Sequence, residues 1–230
     1  MSRNFRSTVE CYDCHRQVQD LREHRASGSC LSKGKLSGRT RAHVLRGGTS
    51  DDSRKNLGRD VFFLMDVSGS MAGSKIEEAK RALLAVHKQE LGDTDRLAVV
   101  TFDTNAYYRL KPRPNGQLLR EGDVEDLVGR IKADGGTALY DAIWLTVEDV
   151  RDKTRPSTIV VLTDGEDNSS KHTLQEVLDA VAQFPALTLD IVQVDGTAPV
   201  AAFQQLTTAG RGQYKMVTVK VIVETIVALV

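Results

Sequence analysis

Cysteine is scarce in this chain: three among 230 residues, Cys11, Cys14 and Cys30, all near the N-terminus. An odd number confined to one short region argues against a disulfide framework and leaves metal ligation or free thiols for those three. Long apolar runs are lacking too. No segment reaches the about 20 residues that span a bilayer. The opening "MSRNFRSTVECYDC" has no apolar stretch of the secretory-signal kind, so an intracellular protein is expected. The most apolar piece, "VTVKVIVETIVALV" at 217–230, is interrupted by Lys220 and Glu224 and reads as a strand end followed by a core-covering helix. No internal repeat of solenoid period occurs. Net charge is absent overall, but the balance is uneven. Residues 1–59 carry 13 Lys and Arg against 6 Asp and Glu, net +7, and residues 60–230 carry 18 against 25, net −7. The two ends are therefore different objects.

What is present is an apolar content of 40%, ordinary for a packed core. It divides the chain into a small module at 1–32, a linker at 33–57 and a globular part at 58–230. The middle stretch, "KGKLSGRTRAHVLRGGTSDDSRKNL", is rich in Gly, Ser and basic residues and reads as flexible. From Asp60 onward, strand and helix patterns alternate. "VFFLM" at 61–65 is a continuous apolar run of the fully buried strand type. "SKIEEAKRALLAVHKQEL" at 74–91 predicts an amphipathic helix capped by Ser74 and stopped by Gly92. Further strands are expected at 95–103, 106–112 (an edge strand), 158–164, 187–194 and 212–217. Further helices are expected at 121–132, 138–152, 171–184, 198–209 and the C-terminus. Strand then helix, repeated this often, implies a doubly wound α/β fold, a mostly parallel sheet with helices on both faces. Ligands of such sheets sit beyond the carboxyl ends of the strands. Asp66, Ser68 and Ser70 follow the first strand there, and Asp164 follows "TIVVLT".

Three chemistries compete for the stretch "DVSGSMAGSK" at 66–75. A serine nucleophile on a sharp elbow needs G-x-S-x-G, but Ser68 is flanked two residues away by Asp66 and Ser70. It also needs a base, and His87 and His172, the histidines of this part, both fall in or beside predicted helices. A phosphate cradle needs four residues between its glycines and then Gly-Lys-Ser/Thr; here there are three, and the lysine follows serine. A metal cup fits the donors best. Mg2+ is held by one or two carboxylates with neutral oxygens and water, and two carboxylates would cancel its charge while leaving it open to an acidic ligand from outside. The plainer reading is that Asp66 and Asp164 cap turns and the serines satisfy backbone groups.

The D-x-S-x-S form of "DVSGS", followed by "GGTALYDAI" and "VVLTDGED", resembles the metal-ion-dependent adhesion site of von Willebrand factor type A domains. The likeness covers about residues 58–230, with the motifs in the family's order. It implies a doubly wound sheet with one antiparallel edge strand. It also implies a site in which Ser68, Ser70 and Thr137 touch Mg2+ (or Mn2+ or Ca2+), while Asp66 and Asp164 act often through water. It further implies a non-catalytic protein-binding module, in which a partner's Asp or Glu completes the coordination. The rival expectation is metal-assisted hydrolysis with Asp141, Glu166 or Asp167 as base.

In the N-terminal module, Cys11 and Cys14 form a C-x2-C pair, followed after nine residues by His24 and after five more by Cys30. That is a sensible tetrahedral Zn2+ set, although the first gap is shorter than in the common two-strand-and-helix finger, and His15 is an alternative to His24. So small a fold needs such a staple. The basic residues beyond it, Lys33, Lys35, Arg39, Arg41 and Arg46, would suit nucleic-acid phosphates, an acidic protein, or solvent alone.

Overall fold

The computed structural model describes residues 58–150 and 155–230, together with two short strands, β1 (Val9–Glu10) and β2 (Gln17–Val18). These two pair antiparallel, Val9 with Val18 and Glu10 with Gln17. Cys11 and Cys14 fall between them in sequence; with His24 and Cys30 they lie outside the described residues, as does the linker. The chain divides into two units, Met1–Gly47 and Gly48–Val230.

In the second unit, β3 (Asp60–Asp66) is buried along its whole length, as its unbroken apolar run requires. Its side chains alternate between two cores. Val61, Phe63 and Met65 pack on one face with α1 (Ser74–Ala85), α3 (Asp123–Arg130) and α7 (Ile222–Leu229). Phe62 and Leu64 pack on the other with α4 (Leu139–Asp149), α5 (Leu174–Ala182) and α6 (Ala201–Ala209). The remaining strands are β4 (Arg96–Phe102), β5 (Ala106–Pro114), β6 (Ser157–Thr163), β7 (Leu187–Val194) and β8 (Arg211–Val217). They form one six-stranded sheet in the order β5-β4-β3-β6-β7-β8. Every pairing is parallel except β4 with β5, so β5 is the antiparallel edge expected.

Several boundaries differ from the sequence expectation. Ser74 is the first residue of α1 and Gly73 its N-cap, with no side-chain cap bond. The helix does not run evenly to residue 91 but passes into a π turn at Val86–Glu90. There the buried Asn115 intervenes: its amide nitrogen donates to the His87 and Leu91 carbonyls at 3.0 and 3.1 Å, and its carbonyl meets His87 Nδ1 at 2.6 Å. The helix expected at 121–132 is α3, and a short helix not expected from sequence, α2 (Asn115–Glu121), precedes it; Gly122, with a left-handed φ of +70°, ends α2 and separates the two. The helix expected from 171 begins at Leu174, where Thr173 and Glu176 form a reciprocal capping box.

The foot of the sheet is held by charge. Asp60 is buried and accepts from the guanidinium groups of Arg96 and Arg155, which come from β4 and from the chain entering β6. Among the described residues, no helix is long and apolar enough to cross a membrane.

Candidate functional site

The register sets Met65 beside Leu162 and Asp66 beside Phe102, so the loops following β3 and β6 leave the same edge of the sheet side by side. Asp66 is fully buried. One of its carboxylate oxygens accepts the Ser68 N–H at 2.8 Å, and the other accepts the Thr163 hydroxyl at 2.5 Å. A 3-10 turn at Gly69–Met71, anchored by the buried Met71, then brings the Ser68 and Ser70 hydroxyls to 3.1 Å from each other. Ser70 Oγ donates to Asp164 Oδ1 at 2.7 Å. Asp66, Ser68, Ser70 and Asp164 thus belong to one hydrogen-bonded cluster.

Thr137 is buried and reaches this edge through its backbone. Asp134 N–H donates to the Val67 carbonyl at 2.7 Å and Gly69 N–H to the Gly135 carbonyl at 3.1 Å, which lays the 134–137 loop against the loop after β3. Thr137 N–H donates to Asn168 Oδ1 at 2.9 Å, and its carbonyl accepts the N–H groups of Asn168 and Ser169. The loop after Asp164 also satisfies the start of α4, whose first N–H groups have no partner within the helix. Asp167 accepts from Tyr140 N–H and Ser170 Oγ from Asp141 N–H. Asp141 in return accepts the N–H groups of Lys171 and His172, and His172 Nδ1 lies 2.7 Å from it. The His172 ring stacks on Trp144 with centroids 4.4 Å apart.

The electrostatics single out Asp66. Burial pushes its carboxyl up to about 6, aided by the negative charge of Asp164 and only partly opposed by the bonds from Thr163 and Ser68. Asp164 has its own cation: Lys75 Nζ stands 2.6 Å from Oδ2. Asp141 behaves differently. Burial alone would raise it, but the hydrogen bonds from His172 and Lys171 outweigh that and hold it below the usual carboxylate range. A carboxylate so well satisfied is a weak proton acceptor.

The donors suit a hard divalent cation. The two side-chain oxygen separations, 3.1 and 2.7 Å, straddle the roughly 3.0 Å between neighbouring corners of an octahedron whose ligands lie about 2.1 Å from the metal. Among the described residues no group of three or more His, Cys, Asp or Glu side chains gathers. The candidate is therefore a site of hydroxyls with two carboxylates, unlike a nitrogen- and sulfur-rich zinc set. Two participants were missed from sequence: Thr163, which holds Asp66, and Lys75, whose partner lies 89 residues away.

A doubly wound sheet with one reversed edge, carrying hydroxyls and acids on three loops at its carboxyl end, defines a class of α/β domain. Residues 59–216 match the family model described as the von Willebrand factor type A domain, and the chain belongs to that family. It is 31% identical over 142 residues to the uncharacterized protein sll0103 of Synechocystis, covering 61% of this chain and 33% of that one. It is 30% identical over 116 residues to pig inter-alpha-trypsin inhibitor heavy chain H4, covering 47% and 12%. The chain thus spans a third or less of the length of these relatives. In fold it is similar to a von Willebrand factor type A protein from Catenulispora acidiphila, with TM-score 0.63 and 21% identity over 74% of this chain and 41% of that one. It is similar also to BatB from Bacteroides thetaiotaomicron, with TM-score 0.55 and 20% identity over 75% and 98%.

Proposed function

We propose that residues 58–230 form a non-catalytic, intracellular protein-interaction module that binds Mg2+ through Asp66, Ser68, Ser70, Thr137 and Asp164. With the ion held there, an Asp or Glu side chain of a partner would complete its coordination. The observation that carries this reading is the buried Asp66, raised to about 6 and tied into one cluster with Ser68, Ser70 and Asp164. A carboxylate stripped of water without a matching cation is a costly arrangement, and a divalent ion relieves it. Mg2+ would supply a Lewis-acidic centre there. The protein's own part is to hold three hydroxyls and two acids on separately anchored loops, so that a carboxylate arriving from solvent beside the exposed Ser70 meets a nearly complete site. The engagement of Asp141 by His172 and Lys171, and of Asp167 by Tyr140 N–H and Ser170, favours binding over hydrolysis, because two of the three acids expected as a base are held in hydrogen bonds and the third, Glu166, is exposed to solvent. The N-terminal Cys11, Cys14, His24 and Cys30 are proposed to hold Zn2+, in keeping with the β1–β2 pairing that brackets the first two in sequence.

The test is capture of partner proteins by the full chain in Mg2+, repeated with Mg2+ omitted and with Ser68→Ala and Thr137→Ala. Under this reading, each of the three treatments abolishes capture while the far-UV and near-UV dichroism of the chain is retained. Capture that persists in all three would remove the ion from the mechanism.

A further inference from the structure

Lys75 occupies an unexpected place for a cation. It is the second residue of α1, where the helix end carries partial positive charge and acidic side chains are preferred. Its ammonium nevertheless sits 2.6 Å from Asp164 Oδ2, with the Asp164 side chain 3% exposed and that of Lys75 24% exposed. The other oxygen of Asp164 accepts from Ser70. One of the two carboxylates of the candidate metal site is thus already neutralised by the protein, while Asp66 receives only hydroxyl and amide donors.

We infer that Lys75 is a specificity-determining residue of this site: an internal cation that weakens the hold on Mg2+ alone and biases the loaded site toward a carboxylate ligand. The inference rests on the metal-site reading above. The charge count explains it. With Asp66 and Asp164 ionised, Mg2+ and no lysine, the site sums to zero and has little long-range pull on an anion. With Lys75 it sums to +1, so an incoming carboxylate meets net positive charge. The same positive charge repels Mg2+ when no carboxylate is present. Mg2+ and the carboxylate attract and so tighten each other reciprocally, and Lys75 sets the balance by opposing the first and drawing in the second. Neither the metal ligands nor the length of α1 need change for this to operate.

The experiment is calorimetric titration of Mg2+ into the full chain, with and without acetate as the carboxylate probe, for wild type, Lys75→Met and Lys75→Arg. Removing one unit charge a few ångströms from a divalent ion in a partly solvated site should tighten Mg2+ by about tenfold in Lys75→Met without acetate. It should also reduce the extra tightening that acetate brings. Lys75→Arg, which keeps the charge, should follow wild type in both respects. If Lys75→Met binds Mg2+ no more tightly than wild type and shows the same acetate effect, Lys75 is only a surface tie and the inference is overturned while the metal site stands. The inference equally falls if Lys75→Arg behaves like Lys75→Met, since shape and not charge would then be at work. If all three folded proteins take up no Mg2+, the metal-site reading itself has failed and takes this inference with it.

Discussion

Replacing Asp66 by Asn should make the metal-free protein more stable while removing its response to Mg2+. The carboxyl is pushed from an ordinary 3.8 up to about 6. A folded-state value above the unfolded one means that the folded chain holds the proton more firmly. The contribution of Asp66 to metal-free stability is then greatest below about pH 4, falls as pH rises to about 6, and levels off above. About two units, at about 1.4 kcal/mol each, put the cost of keeping Asp66 ionised at pH 7 near 3 kcal/mol. The amide would keep one acceptor for Ser68 N–H, at 2.8 Å in the parent. Thr163, which also donates to the Gly165 carbonyl, would turn its hydroxyl there and accept from the new amide. Exchanging a charged for a neutral hydrogen bond forfeits about 1 kcal/mol, so the net gain is about 1–2 kcal/mol. At about 2–4 °C per kcal/mol for a domain of this size, Tm rises by several degrees. Calorimetry in EDTA across pH 4 to 7 measures this directly. The advantage of Asp66→Asn should shrink as pH falls through 6 toward 4, and Mg2+ should raise Tm of the wild type alone. A variant less stable than wild type at pH 7 in EDTA, or a difference that ignores pH, would refute the reasoning.

Three further outcomes are expected. Asp60→Ala removes the acid that accepts from both Arg96 and Arg155 and should cost about 3–5 kcal/mol in urea unfolding; a loss under about 1 kcal/mol would contradict the buried-charge assignment. Gly212→Ala places a methyl against the Leu189 carbonyl, in the backbone of β7, and should destabilise by about 1–3 kcal/mol, read as a lower denaturant midpoint with an unchanged slope. Elemental analysis of the reduced full chain should find about one zinc per molecule, lost in Cys14→Ser; no zinc in either protein would leave Cys11, Cys14 and Cys30 as plain thiols.

The parts of the fold that were legible in sequence are those in which a local pattern suffices. The unbroken "VFFLM" gave β3 its burial on both faces, and the β–α alternation gave a parallel sheet whose carboxyl edge collects Asp66 and Asp164. What stayed hidden depends on residues that meet only after folding. The π turn at the end of α1 answers to Asn115, 28 residues beyond His87. The break at Gly122 looks, in one dimension, like any glycine inside an amphipathic run. At the site, the family resemblance of the motifs implied five ligand candidates but not the side chains that hold them. Thr163 reads as the last residue of a strand, and Lys75 as a solvated position on a helix, until Asp66 and Asp164 are set beside them.

One strand of this protein both begins and ends on a buried aspartate, and the two are treated in opposite ways. Asp60 is enclosed by arginines of the same chain, so that pole carries its own counter-charge. Asp66, one strand length away, has neutral donors only and stays unbalanced until something positive arrives from outside. The domain is thus anchored at its base and conditional at its crown. Chelators and divalent salts should loosen or firm the upper loops while the lower end of the sheet hardly registers them, a contrast that residue-by-residue amide exchange would map.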